Sequence, residues 1–361
     1  MTDGFMNMSL TSLWDDLAAQ DRPIFLYGTG NGGDKIIAAL ETYGVKLTGI
    51  FASDGFVRDR EFHGMKVRAY SDVREEYGDD ITVLLAFGTT LPDVREFIEL
   101  LDSRHDLRIP DVPLYGGDLF DRSYVDAHLA DLIRCRELLA DEESRLIYDD
   151  CIAFRLTGRL KYLSRTQSFA DSVTSLFGGK RYGTILDGGA FKGDSTSDLA
   201  ALMPEKIIAV EADPKTYLKL CTYGESESRC MVEPVNGALW NESGILEYTS
   251  SGSRGSGESG RNRRAKITSV PAVTIDELCR DIPAGLIKLD IEGAEWEALD
   301  GGRRTILRDQ PDMAVSLYHR TDDFWKLTLA LRELLPGHEV YLRRPECVPF
   351  WDLCAFLVKR G

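Results

Sequence analysis

The chain alternates between short apolar runs and segments whose apolar residues recur at helical spacing. Short apolar runs bounded by polar or glycine-rich turns are typical of strands buried on both faces of a parallel sheet. In the C-terminal half the pattern predicts strands at 184–186, 207–210, 231–235, 286–289 and 313–317. Two later runs, 338–342 and 353–358, lie close together and predict a terminal antiparallel pair. The pattern therefore predicts an α/β fold.

The N-terminal half has a similar pattern, with predicted strands at 23–27, 47–52 and 81–87, a further element near Leu114, and a helix at 35–41. Between the first strand and the helix, the spacing G-x-G-x-x-G is met by Gly28, Gly30 and Gly33, and Asp54 follows the second strand. This spacing is typical of dinucleotide sites. However, the elements supply roughly one mononucleotide-binding half of such a fold, and no catalytic acid–base pair follows. We predict a scaffolding or dimerising role, with nucleotide or sugar-nucleotide binding as the alternative.

Residues 122–165 are predicted to be helical, because apolar side chains recur at helical spacing among many charges: Leu129, Leu132, Ile133, Leu138 and Leu139. This predicts two Rossmann-like α/β domains, at 1–120 and 181–361, joined by a helical connector at 121–180. The preferred interpretation of the connector is a packed link. The alternative is a roof over the substrate, with contacts from Phe154, Arg155, Lys161 and Tyr162.

The 361 residues favour two domains over one. A formal net charge of −16 argues against a nucleic-acid partner, because proteins that bind phosphate backbones carry a basic surface. Residues 1–20 lack the features of a signal peptide, and no apolar stretch is long enough to span a bilayer. The seven cysteines are scattered, which favours reduced thiols and a cytoplasmic location.

The most informative segment is TILDGGAFKGDS, residues 184–195. An apolar run ends in Asp187, a glycine-rich turn follows, and a helix is predicted to begin at Asp194 and Ser195. Glycines allow a ligand to approach the backbone closely, and a helix N-terminus offers free N–H groups. The next predicted strand ends in Glu211, at the position where doubly wound folds bind ribose hydroxyls. Asp187 would repel a pyrophosphate, so adenosine joined to a methionine cation fits better than NAD.

Four motifs in this order and spacing resemble an FkbM-family methyltransferase, a class I enzyme that uses S-adenosylmethionine: LDGGAFKGD, VEADP, IKLDIEGAEWEAL and SLYHRTDDFW. The resemblance covers residues 181–359. It implies a seven-stranded class I sheet and transfer of a methyl group to a hydroxyl of a sugar, polysaccharide precursor or secondary metabolite. The N-terminal half is similar to the small Rossmann-like domains fused ahead of some FkbM-type enzymes.

By this resemblance, Asp187 binds the methionine amine and Glu211 the ribose hydroxyls. The resemblance places the cofactor-binding residues in the turn, after the second and third strands and at the end of the fourth. They are Asp187, Gly188, Gly189, Ala190, Phe191, Gly193, Asp194, Ser195, Glu211, Ala212, Asn236, Gly237, Ala238 and Asp290.

Three residues at the ends of the fourth and fifth strands are predicted to be catalytic: His319, Asp290 and Glu292. A histidine with an ordinary pKa near ~6.5 can accept the hydroxyl proton at cellular pH. The alternative is that His319 caps a helix at 323–335. The two acids could orient the acceptor or bind a cation such as Mg²⁺. Glu295 is predicted to stabilise a helix N-terminus, whereas Trp296 and Leu299 are predicted to be core residues.

Residues 250–266 form a low-complexity segment rich in glycine, serine and arginine. It is predicted to be a solvated loop. A basic lid that favours an anionic acceptor is the alternative. Two other functions stay open at this point: an NAD-dependent sugar-nucleotide enzyme that uses the N-terminal glycine turn, and a non-catalytic nucleotide-sensing or assembly module.

Overall fold

A computed structural model describes residues 10–113, 117–250, 257–258 and 266–360. The chain divides into two compact units. Unit 1 comprises Met1–Ile133, Arg145–Thr166 and Glu346–Trp351. Unit 2 comprises Arg134–Ser144, Gln167–Pro345 and Asp352–Gly361. Residues of the predicted connector, 121–180, thus belong to both units.

Unit 1 contains a six-stranded sheet in the order β3-β4-β2-β1-β5-β6, parallel except for β3. Its strands are β1 (Ile24–Tyr27), β2 (Gly49–Ala52), β3 (Glu61–Phe62), β4 (Met65–Ala69), β5 (Thr82–Leu85) and β6 (Asp106–Arg108). Its helices are α1 (Leu13–Ala19), α2 (Asn31–Thr42), α3 (Tyr70–Tyr77) and α4 (Pro92–Arg104). One cluster of its core joins the helices to the sheet through Leu26, Ile36, Leu40, Ile50 and Leu84.

The strands predicted for this unit are present as β1, β2 and β5, and the predicted helix lies within α2. The sheet is larger than the sequence suggested. The strand β6 was missed because it is only three residues long and has charged residues at both ends. The element predicted near Leu114 lies outside the described residues.

The predicted helical segment 122–165 consists of α5 (Arg122–Glu137), α6 (Glu142–Thr157) and a 3₁₀ turn at Leu160–Leu163. Leu132 and Leu139 are buried as expected, but Leu129 is 37% exposed. Phe154 is fully buried, and the guanidinium of Arg155 lies 3.1 Å from the Asp111 carboxylate. These two side chains pack inside unit 1, so the suggestion that they contact substrate is wrong.

Unit 2 contains a seven-stranded sheet in the order β16-β17-β15-β14-β7-β8-β9. The strand β17 runs in the opposite direction to the other six. Its strands are β7 (Thr184–Gly188), β8 (Lys206–Glu211), β9 (Met231–Asn236), β14 (Ala284–Leu289), β15 (Asp312–Ser316), β16 (His338–Arg343) and β17 (Cys354–Lys359). The predicted strands and the terminal antiparallel pair are confirmed. The order reverses between β7 and β14, and ligands bind at such reversals, at the carboxyl ends of the strands.

Two features of unit 2 differ from the predictions. The strand β9 is not buried on both faces, because it is the edge strand and pairs only with β8. A second sheet, in the order β10-β13-β11-β12, was not predicted. Its strands are β10 (Ala238–Leu239), β11 (Gly244–Ser250), β12 (Gly257–Glu258) and β13 (Lys266–Val273).

The remaining helices of the described chain are α7 (Phe169–Phe177), α8 (Asp194–Ala200), α9 (Pro214–Ser226), α10 (Ile275–Leu278), α11 (Glu295–Gly301), α12 (Arg303–Asp309) and α13 (Asp323–Leu334). Within the described residues, no helix has the length and apolar character that crossing a membrane requires. The cysteines that the structure describes form no disulfide bond.

Candidate active site

The glycine turn after β7 passes directly over the end of β14. Gly189 has a φ of +73°, and a Cβ added there would lie 1.8 Å from the carbonyl oxygen of Asp290. Gly193 has a φ of +100°, and its added Cβ would lie 2.4 Å from the Tyr223 ring. Both positions therefore require glycine, for backbone conformation and for space. The predicted turn and Asp290 are neighbours.

Glu211 binds this turn from the end of β8. One carboxylate oxygen accepts a hydrogen bond from the Phe191 N–H at 3.0 Å, and the other accepts one from the Asp213 N–H at 2.7 Å. The side chain is largely buried, and this burial raises the pKa of Glu211 to about 7. A carboxylate has about four lone-pair positions, so each oxygen can still accept one more hydrogen bond. The arrangement fits the two hydroxyls of a ribose.

The loop after β9 lies beside Glu211. The Asn236 side-chain amide donates to the carbonyl oxygens of Glu211 and Ala212, at 2.9 and 3.2 Å. The Gly237 N–H donates to the Glu211 carbonyl at 3.1 Å. The structure thus brings the predicted residues of the second and third strands together. Ala238, by contrast, begins β10 in the smaller sheet.

The Asp187 side chain is buried beneath the turn and does not reach the surface. Its carboxylate is fully buried, accepts hydrogen bonds from the Ser195 and Thr196 hydroxyls, and lies 3.2 Å from the Lys288 ammonium. Ser195 and Thr196 belong to the first turn of α8, whose first residue, Asp194, is exposed. In this structure Asp187 joins strand, turn and helix, and its contact with a methionine amine stays a prediction.

Lys288 is a charged residue in the centre of the sheet. It lies on β14, where its Cα is paired in register with Asp187, and it is buried. Its ammonium donates to the carbonyl oxygens of Gly188 and Gly189, at 3.1 and 2.9 Å. Burial works to lower the pKa of Lys288, but Asp187 and Asp290 raise it above its ordinary value. The residue is therefore an ammonium ion at cellular pH.

Asp290 lies at the carboxyl end of β14 and is partly accessible, with 36% of its side chain exposed. The Tyr318 hydroxyl donates to its carboxylate at 3.2 Å. Burial works to raise the pKa of Asp290, but Lys288, His319 and hydrogen bonds from Ser316 and Tyr318 hold it below its ordinary value. Asp290 is thus an ionised carboxylate on the rim of the site.

His319 lies just beyond β15 and is fully buried among carboxylates. Its Nδ1 lies 3.0 Å from Glu295, while its Nε2 lies 3.7 Å from Asp290 and 3.8 Å from Glu292. The three predicted catalytic residues are therefore brought together. Glu295 begins α11, as predicted, and it also accepts the Ile291 N–H at 3.0 Å.

The expectation of an ordinary pKa for His319 is wrong. Burial works to lower its pKa, but the charges of Glu295, Asp290 and Glu292, together with a hydrogen bond to Glu295, raise it to about 10. An imidazole with this pKa carries a proton at cellular pH, and a protonated imidazole cannot act as a base. The sequence could not show this, because the charges come from a different strand end.

Asp290, Glu295 and His319 offer ligand atoms within 4.8 Å of one another, which is the spacing of a possible metal site. However, Mg²⁺ prefers oxygen ligands, and the His319 imidazole lies against the Glu295 carboxylate in this structure. The ion pair between His319 and Glu295 explains the arrangement without a metal. These residues therefore fit Mg²⁺ poorly.

A buried acid lies behind the cluster. The Asp323 carboxylate accepts the Trp296 indole N–H at 3.1 Å and the Arg320 N–H at 3.0 Å. Burial, followed by the charge of Glu295, raises the pKa of Asp323 to about 6. Trp296, predicted as a core residue, is only partly buried, whereas Leu299 is buried as predicted.

The profile of the methyltransferase FkbM domain matches residues 187–344, which hold the glycine turn and the cluster around His319. The chain carries an FkbM methyltransferase domain. The fold agrees: a crystal structure of the methyltransferase FkbM from Methylobacillus flagellatus KT aligns at a TM-score of 0.68 and 18% identity, over 95% of this chain and 92% of that one. Through this domain the chain is an S-adenosylmethionine-dependent methyltransferase.

Two further solved structures are much less similar. An rRNA methylase from Streptococcus thermophilus aligns at a TM-score of 0.30 and 13% identity, over 50% of this chain and 88% of that one. Fibrillarin from Aeropyrum pernix, with bound S-adenosylmethionine, aligns at 0.31 and 16%, over 49% of this chain and 66% of that one. No curated protein sequence matches this chain.

Within the FkbM domain, sequence reasoning missed Lys288, Tyr318 and Asp323. A lysine between Ile287 and Leu289 in an apolar run was the available signal, because lysine is rarely buried without a partner. The solvated loop predicted at 250–266, and its alternative, a basic lid formed by Arg254, Arg261, Arg263, Arg264 and Lys266, depend on side chains that lie outside the described residues.

Proposed function

We propose that this methyltransferase transfers the methyl group of S-adenosylmethionine to a hydroxyl oxygen of a sugar, polysaccharide precursor or secondary metabolite. The observation that carries the proposal is the partly exposed carboxylate of Asp290, whose backbone lies against the cofactor turn and whose charge is balanced by Lys288 and His319. A hydroxyl must lose its proton as its oxygen attacks. A preorganised carboxylate at the reacting end of the site supplies the acceptor for that proton.

The cofactor would be bound by the predicted residues of the turn and of the two neighbouring strand ends. S-adenosylmethionine supplies an electrophilic methyl group on a sulfonium. Glu211 would accept the ribose hydroxyls, and the turn and the loop at Asn236 would surround the adenosine. The main work of this chain is to align the acceptor oxygen with that methyl group, because in-line displacement depends on geometry.

In this proposal Asp290 contacts the acceptor hydroxyl and takes its proton. His319, predicted from the sequence as the general base, lies behind Asp290 and is fully buried. It acts as a fixed positive charge that orients Asp290 and Glu292. The sequence-based alternative, in which neutral His319 is the base, requires a form that the neighbouring carboxylates disfavour.

The acceptor class is tested by incubating the full chain with methyl-labelled S-adenosylmethionine and a panel of neutral, amino-bearing and uronic sugars. The expected product is a methyl ether, which survives mild alkali. Label that is released by alkali would indicate a methyl ester and would contradict transfer to a hydroxyl.

The base is identified from the pH dependence of turnover. If Asp290 accepts the proton, kcat is nearly constant from pH 7 to 9, because Asp290 is ionised throughout. If neutral His319 is needed, kcat rises up to about tenfold per pH unit towards pH 10. Asp290→Asn should lower kcat ~10²–10⁴-fold, and Glu225→Gln on the far end of α9 is the matched control. A kcat for Asp290→Asn close to that of the parent would refute the assignment.

A role for Mg²⁺ is the remaining alternative at this cluster. We expect EDTA to leave turnover unchanged, because His319 is paired with Glu295. Loss of activity with EDTA, restored by added Mg²⁺, would instead make Asp290 and Glu292 metal ligands.

The partners and location are also proposals. A small-molecule or glycan acceptor, the absence of nucleic-acid and membrane partners, a cytoplasmic location, and a homodimer formed through the N-terminal domain all rest on sequence reasoning. Light scattering of the full chain tests the dimer: twice the mass of one chain is expected, and the mass of a single chain would contradict it.

A further inference from the structure

Lys288 occupies a position where a lysine is unexpected. Central strands of a parallel sheet are covered on both faces and are normally apolar, and the neighbours of Lys288 on β14, Ile287 and Leu289, are fully buried. Burying an ammonium ion is costly unless it is paired and hydrogen-bonded. The partners of this ammonium ion therefore indicate what the charge does in the site.

The ammonium has three N–H donors, and three acceptors surround it. Two are the carbonyl oxygens of Gly188 and Gly189, where the backbone leaves β7 and enters the turn. The third is the Asp187 carboxylate, which the α8 hydroxyls of Ser195 and Thr196 also reach. One side chain thus connects the strand, the turn and the helix.

We propose that Lys288 is a positioning residue for methyl transfer, which sets the conformation of the cofactor turn through the carbonyl groups of Gly188 and Gly189. These carbonyls point towards Lys288, and the N–H groups of Gly189 and Ala190 donate to Val210. The turn is therefore bound from both of its neighbouring strands, β14 and β8. The next N–H, that of Phe191, donates to Glu211. A displacement of the turn would therefore also displace the carboxylate that is proposed to bind the ribose.

The same ammonium connects the two halves of the reaction site. Asp290 is two residues beyond Lys288 on the same strand, and its N–H donates to the Gly188 carbonyl at 3.1 Å. The Gly188 carbonyl therefore accepts from both Lys288 and Asp290. Lys288 holds the cofactor turn and the acceptor-binding strand end in one arrangement.

The test compares variants that keep position 187 neutral. In Asp187→Asn the Lys288 ammonium keeps the carbonyl oxygens of Gly188 and Gly189 and the nearby charge of Asp290. Lys288→Met alone would leave Asp187 buried without its partner, which is strongly destabilising. We therefore compare Asp187→Asn with the double variant Asp187→Asn/Lys288→Met, in the full chain. The asparagine oxygen still accepts from Ser195 and Thr196, so the pair differs only at residue 288. Lys206→Met is the matched control, because Lys206 lies on β8 at the opposite end of the sheet and pairs with Glu233.

Two quantities are measured: the Kd of S-adenosylmethionine by calorimetry and the hydrogen exchange of peptides covering 188–196. The double variant should bind at least ~10-fold more weakly than Asp187→Asn, because it lacks two charge-assisted hydrogen bonds to the turn. Its exchange should increase in 188–196 and stay unchanged in the unit 1 sheet. Lys206→Met should match the parent, which must itself bind the cofactor.

Equal Kd values for Asp187→Asn and the double variant would overturn the proposal, because Lys288 would then only neutralise Asp187. Loss of the melting transition in the double variant would also overturn it, because Lys288 would then be a residue required for folding. Neither outcome affects the assignment of the chain as a methyltransferase.

Discussion

Each unit contains a glycine turn between a strand and a helix, but the side chains that contact the two turns differ. In unit 1, β1 leads through Gly28 and Gly30, with φ of +105° and +138°, into α2. In unit 2, β7 leads through Gly189 and Gly193, with φ of +73° and +100°, into α8. Backbone conformation alone does not distinguish them.

The side chains packed against the unit 1 glycines are aromatic, and the charged contacts near this turn, from Arg60 to the Thr29 hydroxyl and from His63 to Asp34, lie at the surface. A Cβ added to Gly28 would lie 2.6 Å from the Phe87 ring, and one added to Gly33 would lie 3.1 Å from Phe62. At Asp54, which follows the second strand, the carboxylate accepts the Ser71 N–H at 2.9 Å. The corresponding acid in unit 2, Glu211, instead accepts an N–H of the turn itself.

We infer from this difference that glycine spacing specifies the shape of a turn, whereas the charged residues that contact it specify its chemistry. The unit 2 turn is held by Asp187, Lys288 and Glu211, which all lie within the FkbM domain. The described part of unit 1 holds its glycine turn chiefly by packing. The predictions below test whether cofactor binding follows the charged residues.

The largest effect is expected from Glu211→Ala. It removes two ribose hydrogen bonds, each worth ~1.5–3 kcal/mol, so S-adenosylmethionine should bind at least ~100-fold more weakly. Asp54→Ala, the matched change in unit 1, should leave the Kd within about twofold. Equilibrium titration of both variants measures this. Equal losses of S-adenosylmethionine affinity in the two variants would contradict the proposed difference between the two turns.

A smaller effect is expected from Gly189→Ala, which should weaken cofactor binding ~10-fold or more because the new Cβ displaces the turn from the end of β14. Gly30→Ala is the control. It is also strained by its positive φ, but nothing lies within 4 Å of the added Cβ. It should lower the melting temperature and leave cofactor affinity unchanged. A matching loss of affinity in Gly30→Ala would show that the N-terminal turn takes part in binding.

The smallest effect concerns pH. The pKa of Glu211 is raised to about 7, and only its ionised form accepts both hydroxyls, so affinity should rise about tenfold from pH 6 to 8. Conversely, Glu211 should make the free protein less stable as pH rises from its unfolded-state value towards 7, because the folded state retains the proton longer. In Glu211→Gln both dependences should disappear. A pH dependence that persists in this variant would point to another group.

Sequence reasoning located most of the strands of unit 2 because their apolar runs are buried on both faces. It also found Glu211, Asn236, Asp290 and His319, since each directly follows or ends such a run. The short strands β3 and β6 carry too few apolar residues to be recognised, and β10–β13 fall in and around a polar, glycine-rich segment.

The charge interactions within the site could not be predicted from the amino-acid sequence. The pKa of His319 depends on Glu295, more than 20 positions earlier, and on the register that places Asp290 beside it. Lys288 was overlooked for the same reason, because its partner Asp187 is about 100 positions away and only the pairing of β7 with β14 joins them. Local patterns indicate which residues reach the strand ends, but charge coupling arises only in the folded sheet.

The most direct test of the comparison is a calorimetric titration of the full chain with S-adenosylmethionine, followed by the same titration with NAD and with a sugar nucleotide. We predict one S-adenosylmethionine bound per chain and no stoichiometric binding of NAD. Tight binding of NAD at one per chain, abolished by Gly30→Ala, would contradict the claim that the charged residues behind the turn, and not its glycines, determine which turn binds a cofactor.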